Sequence, residues 1–209
     1  MSEPIDPGAS GPQSVAVPAS DTVRIQELLR AGYRRTREAH VMVLGLPREE
    51  DAQEPEFHPF LPGGQPPVRW EEVLPSWLAA YPPEHPDHLP GGATLIDSYL
   101  AHYTAGAALG PLICAASAIA VGARDGYPYG GVLIVDRPGE GAWVCDVWRD
   151  PDPRYAGCGS RLLRWSAARL DGYPVLGLAV TVTNPAAIHA YERIGFTIES
   201  TAVTLLPPP

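Results

Sequence analysis

Residues 149–170, RDPDPRYAGCGSRLLRWSAARL, pass from a proline-punctuated loop through Gly157 and Gly159 straight into an amphipathic helical pattern. The run "GAWVCDVW" just ahead of it reads as a strand ending near Arg149. A glycine-bared backbone between a strand and a helix start leaves free amides and the positive end of the helix available to an anion, with phosphate the natural ligand. The same glycine pair would also serve a tight turn that binds nothing. Two nucleotide-binding readings fail in detail. No Gly-Lys-Ser/Thr follows, so the loop is not a P-loop, and the third glycine of the dinucleotide fingerprint is replaced by Leu162, late in the chain rather than in a first βα unit.

Outward from this stretch, "PLICAASAIAVGA", "GGVLIVD" and "GAWVCDVW" are short apolar or alternating runs separated by "RDGYPYGG" and "RPGEG", the pattern of an antiparallel meander. After it come a helix from 160 to about 170, a strand over 175–182, a helix over 185–193 and a last strand in "FTIESTAVTLL". The alternation predicts an α/β fold whose sheet has a parallel step. The first half reads as mainly helical. Ser20 or Asp21 caps a helix with Ile25, Leu28, Leu29 and Tyr33 on one face and Arg30, Arg34, Arg35 and Arg37 elsewhere around it. Residues 47–67 read as loop. Trp70, Val73, Leu74, Trp77, Leu78 and Tyr81 recur at helical spacing, with Pro75 set to kink or split the helix, and Leu95, Ile96, Tyr99, Leu100 and Tyr103 form a third stripe ending near Gly106. Residues 1–20 read as a mobile tail in which "SVAV" would add a short strand; residues 21–209 are expected to form a single domain.

A net charge of -9 disfavours a general attraction to nucleic acid or to an anionic membrane. Cys114, Cys145 and Cys158 are odd in number and lack zinc spacing, and no apolar run approaches the roughly 18 residues of a membrane span. A cytoplasmic protein without metal, nucleic-acid or membrane partners is the expectation.

Arg154-Tyr155-Ala156-Gly157-Cys158-Gly159 resembles the pyrophosphate signature Gln/Arg-x-x-Gly-x-Gly/Ala of the GNAT superfamily of acyl-CoA-dependent N-acetyltransferases. "TNPAAIHAYERIGF" adds a second likeness: Asn184 at a strand end, a helix leading to Tyr191, then Gly195-Phe196. The resemblance covers roughly 113–206. It implies a central mixed, mostly antiparallel sheet flanked by helices. It also implies an acceptor-side helical half over about 21–110, enlarged relative to the family, and an acyl-CoA-binding half over about 111–206. Acetyl-CoA is then the implied cosubstrate, and a primary amine of a small molecule or peptide the acceptor. Backbone groups of Val147 and Arg149 would run beside the pantetheine arm. Arg154 belongs to the signature, and the amides of Tyr155, Ala156, Gly157, Cys158, Gly159 and Ser160 would cradle the pyrophosphate. Asn184 would bond the pantetheine region, and the Tyr191 hydroxyl would sit near the thioester sulfur.

The implied chemistry sets requirements. A lysine-like amine of pKa about 10.4 is neutral in about one molecule in 2,500 at pH 7, so its proton must be removed. On the leaving side a thiol of pKa about 8.5 departs as thiolate, and a tyrosine of pKa about 10 is protonated and able to donate to it. Family members often carry a Glu on the fourth strand, where this chain reads Trp143, Val144, Cys145 and Asp146. Asp146 is the candidate base, against a purely structural pairing; His102, Asp97 or a water chain are alternatives, and Cys145 as an acyl carrier is disfavoured for a strand cysteine. "EHPDH", with His85, Asp87 and His88, reads as a solvated loop rather than a metal site.

The chain departs from the family by stopping just after "TAVTLLPPP", where a seventh strand usually follows. The C-terminal hairpin is thus shortened, and the exposed sheet edge would need covering by the tail, the proline run or a partner, which makes a homodimer one expectation. Two other classes remain open: a catalytically silent acyl-CoA-binding sensor or scaffold, and an interaction protein whose glycine turn is structural.

Overall fold

The computed structural model describes residues 14–46, 54–88, 100–102, 104–106 and 109–208. Leu95, Ile96, Tyr99 and Tyr103 of the third stripe and the alternative base Asp97 lie outside them. The elements run β1 (Val15–Pro18), α1 (Thr22–Arg30), β2 (Arg34–Gly45), β3 (Phe57–Pro59), α2 (Trp70–Ala80), β4 (Ala118–Val121), β5 (Pro128–Arg137), β6 (Gly141–Arg149), α3 (Cys158–Ala167), β7 (Val175–Thr181), α4 (Pro185–Ile194) and β8 (Thr197–Leu206). Short 3-10 turns at Cys114–Ala116 and Pro153–Tyr155 precede β4 and α3. The hydrogen-bonded strand order is β1-β8-β2-β7-β6-β5-β4-β3, a mixed eight-stranded sheet. The chain divides into two compact units, one formed by the described residues up to Val43 together with those from Leu178 onward, the other by 44–177.

In the first unit, Asp21 caps α1 by accepting from the Arg24 amide at 2.9 Å, as its residue type predicts. Gly32 ends the helix at φ +90, with Gly32 N bonded to Leu29 O and Tyr33 N to Leu28 O. That paired geometry is a Schellman stop, and it turns Tyr33 back onto the cluster of Val17, Ile25, Leu28, Val203 and Leu205. The consequence corrects the sequence reading: Arg34, Arg35 and Arg37 lie on strand β2, not around α1, and the described residues of the first half carry three strands besides helices. β8 pairs antiparallel with β2 on one side and β1 on the other, so the edge of β8 is covered by the N-terminal strand. Residues 15–18 are therefore sheet rather than tail, and the "SVAV" strand is present.

The second unit is built around the β4-β5-β6 meander. β5 is buried along both faces from Pro128 to Val135, as expected of a strand covered by helices on each side. α2 supplies Val73 and Trp77 to a cluster with Phe60, Leu100, Ile119, Leu133 and Trp148. On the other face of the pleat, α3 buries Leu162, Leu163 and Trp165, and its Gly159 approaches the Val147 side chain. Pro75 neither splits nor ends α2, which is continuous from Trp70 to Ala80. α3 begins two residues earlier than the sequence pattern suggested, at Cys158. Glycines in two strands make room for tryptophan rings: a Cβ on Gly131 would collide with Trp148, and one on Gly177 would lie 2.5 Å from Trp143. Gly177 and Trp143 also pair across the β6–β7 ladder, which is parallel and consists of Ala142↔Leu176 and Trp143↔Gly177.

Candidate active site

The loop after β6 is pinned before it reaches the glycines. Asp150 N bonds Tyr129 O at 2.7 Å, and the Asp150 carboxylate accepts from the Tyr127 hydroxyl at 2.7 Å and from Asp152 N at 2.9 Å. Asp152 in turn caps the Pro153–Tyr155 turn, accepting from Arg154 N at 2.9 Å and from the Arg154 guanidinium at 2.9–3.0 Å. These bonds hold the Asp152 carboxyl below its ordinary range. The Tyr155 ring stacks on Tyr129 with centroids 4.3 Å apart and planes 7° apart. Arg154, the signature's first residue, is thus exposed and committed to Asp152.

Gly157 follows in the left-handed region, φ +80 and ψ -5, and is the N-cap of α3. The first helical bond is Arg161 N to Gly157 O at 3.1 Å. The amides of Cys158, Gly159 and Ser160 precede it and have no acceptor within the helix, which is the feature an anion requires. Cys158 is buried, with burial pushing its thiol up to about 12, and its sulfur lies where a Gly130 side chain would otherwise be. It anchors the start of α3; no nucleophile is made of it.

Val147 and Arg149 alternate with Asp146 and Trp148 along β6 and belong to the α3 side of the pleat. Asp146 faces α2. It is 7% exposed, and both of its oxygens accept from the end of that helix: Oδ2 from Trp77 Nε1 at 2.7 Å and Oδ1 from the Tyr81 hydroxyl at 2.5 Å. Burial pushes its carboxyl up to about 6, with the Tyr81 and Trp77 hydrogen bonds opposing the rise and the charge of Asp87 adding to it. Cys145 occupies the irregularity in the β5–β6 ladder between Leu133↔Asp146 and Ile134↔Val144. Burial raises its thiol, so it is held protonated and unsuited to carry an acyl group.

Sequence reasoning missed Tyr81 and the loop beyond it as partners of Asp146. The "EHPDH" segment is not simply solvated: the His85 ring stands edge-on to Tyr81 at 5.0 Å and 88°, and His88 Nδ1 lies 2.8 Å from Tyr81 O. His102, an alternative base, is exposed on its helical turn. An open depression lined by Gln65, Pro66, Pro67, Val68, Arg69 and Glu72 includes none of these groups.

In the first unit, Asn184 is the N-cap of α4, its Oδ1 accepting from Ala187 N at 3.2 Å, with Pro185 at the first helical position. Tyr191 O accepts the amides of both Gly195 and Phe196, Gly195 sits at φ +108, and the Tyr191 and Phe196 rings are 5.9 Å apart. The conspicuous Asn-Pro and Gly-Phe pairs are therefore the start and stop of α4.

Among the described residues no helix is long and apolar enough to cross a membrane. A search of curated proteins finds no match. Among solved structures, the chain is similar to a GCN5-related N-acetyltransferase from Sphaerobacter thermophilus, with a TM-score of 0.64 and 20% identity over 92% of this chain and 58% of that one. It is similar to a GNAT-family acetyltransferase from Novosphingobium aromaticivorans, with a TM-score of 0.54 and 19% identity over 96% and 77%. A GCN5-related N-acetyltransferase from Kribbella flavida gives a TM-score of 0.52 and 16% identity over 94% and 68%. The chain spans 58% and 59% of the first two structures it matches, so these likenesses speak to the fold. The family model for GNAT acetyltransferases matches residues 70–196, from the start of α2 through the Gly-Phe stop of α4. The chain belongs to the acetyltransferase (GNAT) family.

Proposed function

We propose that the chain moves an acetyl group from acetyl-CoA to a primary amine of a small molecule or peptide by direct attack. The observation that carries this reading is the pinned loop, in which Asp150 and Asp152 fix the backbone on one side of the left-handed Gly157 and a ten-residue helix begins on the other. Such a cradle exists before any ligand arrives, so binding costs little ordering of the loop. The pyrophosphate takes the amides from Tyr155 to Ser160, and the pantetheine arm takes main-chain groups of Val147 and Arg149, beyond the short β6–β7 ladder. Asn184 uses its Oδ1 as a cap, which leaves its Nδ2 as the group offered to pantetheine.

In the reaction the ammonium loses a proton, the neutral nitrogen attacks the thioester carbonyl, the carbon–sulfur bond breaks, and the nitrogen's second proton ends on the departing sulfur as free thiol. Asp146 is the proton acceptor in this reading. Tyr191 stabilises the departing thiolate by a hydrogen bond; full transfer of its proton is uphill by about 2 kcal/mol, the 1.5-unit gap between phenol and thiol.

The test has two arms. Acetyl-CoA at about 100 times its dissociation constant should add about 2.7 kcal/mol of stability and raise the melting temperature by roughly 5–10 °C, with much smaller shifts from NADH and ATP. Equal shifts from all three overturn the loop assignment. Release of free thiol with a panel of primary amines then separates an enzyme from a silent acyl-CoA sensor, which would bind acetyl-CoA and release none.

A further inference from the structure

Asp146 has the charge of a base and the position of a core residue. It shares a face of β6 with Trp148, is 7% exposed, and already accepts two hydrogen bonds from α2. An ammonium of useful size has no direct way to that carboxylate without displacing Trp77 or Tyr81. Of the two donors, Trp77 is buried at 2% and its indole N–H cannot accept a proton. Tyr81 differs on both counts: it is half-buried at the C-terminal end of α2, and a hydroxyl both donates and accepts.

The geometry around that hydroxyl provides for both protonation states. It lies 2.5 Å from Asp146 Oδ1 and 3.2 Å from the carbonyl of Val147. With Asp146 ionised, the hydroxyl donates to the carboxylate. With Asp146 protonated, the acid donates to the tyrosine oxygen and the hydroxyl turns its hydrogen to Val147 O. No buried donor is stranded in either state, which a single-acceptor arrangement would not allow. Val147 is also where the proposed pantetheine arm runs, so the hydroxyl stands beside the β6 backbone at the place the thioester would pass.

We propose that Tyr81 relays the acceptor's proton to Asp146. The ammonium N–H proton passes to the Tyr81 oxygen as the tyrosine's own proton passes to Asp146 Oδ1; the neutral amine then attacks the acyl carbon, the carbon–sulfur bond breaks, the second N–H proton of the attacking nitrogen passes to the departing thiolate, and the proton held by Asp146 returns to solvent before the next turnover. Tyr81 is the group that touches the amine, and Asp146 acts through it. The titratable groups around the pair are His85 against the Tyr81 ring, His88 against the Tyr81 carbonyl, Asp87 whose charge reaches Asp146, and Cys145 next in the strand. The inference rests on the N-acetyltransferase reading, and the test separates the two.

The decisive comparison uses acetyl-CoA with matched alkylamine and arylamine probes, because an alkylamine is protonated at pH 7 and an arylamine is already neutral. Tyr81→Phe keeps the ring contacts with Trp77 and His85 and removes only the relay, so kcat for the alkylamine should fall about 100-fold while the arylamine rate and the acetyl-CoA constant change less than threefold. Trp77→Phe removes a bond to the same carboxylate without touching the relay and should show no such selectivity. Asp146→Asn should reproduce the alkylamine-selective loss, which keeps the test open if the tyrosine variant folds poorly. Equal losses for both amines, or an unchanged alkylamine rate in Tyr81→Phe, overturn the relay alone. A wild-type chain that binds acetyl-CoA and acetylates neither probe overturns the relay together with the activity on which it rests.

Discussion

Asp146→Asn should remove the pH dependence that the buried carboxyl imposes on stability. Burial raises its folded pKa from an ordinary 3.8 to about 6, so between those values the native state holds a proton that the unfolded chain has released. Stability contributed by this group is therefore full below about pH 4 and is lost as pH rises through 6. The gap between 3.8 and about 6, at 1.36 kcal/mol per pH unit, comes to about 3 kcal/mol. Asparagine does not ionise, and the site can satisfy it: its oxygen accepts from Trp77 Nε1, its amide donates to the Tyr81 oxygen, and the Tyr81 hydroxyl turns to Val147 O. The variant should thus gain on the wild type by about 3 kcal/mol between pH 4 and pH 7, read from urea titrations of both proteins across that range. Two curves that stay parallel would refute the claim that Asp146 is ionised at a cost in the folded protein.

Gly157→Val places a branched side chain at φ +80, where nothing lies within 4 Å; the cost is therefore backbone strain of about 1–2 kcal/mol, seen in thermal melts, together with a loss of acetyl-CoA affinity in titration calorimetry. Gly159→Ala isolates the ligand from the fold, since its Cβ would make only an ordinary 3.8 Å contact with Val147: stability should hold or rise by up to about 1 kcal/mol while acetyl-CoA binding weakens. Tyr191→Phe should lower turnover by roughly 10 to 1,000 fold with acetyl-CoA affinity within a few fold, as measured by steady-state thiol release. Asn184→Ala should instead raise the acetyl-CoA constant more than it lowers turnover, and should cost about 1 kcal/mol of stability through loss of the α4 cap.

What could be read from the residues was whatever is encoded locally. The meander between 118 and 149, the strand–loop–helix passage at Gly157, and the Asn-Pro and Gly-Phe ends of α4 each carry their signal within a dozen residues, and the structure places them accordingly. Strand β2 was missed even though a local stop was present: Gly32 is a helix terminator, but the arginines after it continued a plausible polar face. The continuous apolar run Val41-Met42-Val43-Leu44, of which Met42 and Leu44 are buried, was the strand signal that outweighs them. Its place between β8 and β7 has no local signature at all, because pairing across 160 residues of sequence is decided by the sheet as a whole.

Asp146, the proposed base, shows the same division at the scale of one side chain. Counting back by two from Trp148 puts Asp146 on the same apolar face, which marks a carboxylate that must find donors; the bulge at Cys145 turns Val144 to the other side. Trp77 and Tyr81 are four apart and so share a face of α2, but nothing in either segment announces the other across 65 residues. Under the proposed function, β6 would separate two tasks. α2 brings Trp77 and Tyr81 to Asp146 on one face, α3 brings its N-terminal amides and Gly159 against Val147 on the other, and only the main chain of β6 belongs to both. A substrate that threads that edge would meet phosphate binding and proton removal from opposite sides. That is why acceptor chemistry should respond to changes at Tyr81 and cofactor affinity to changes at Gly159, with little crosstalk between them.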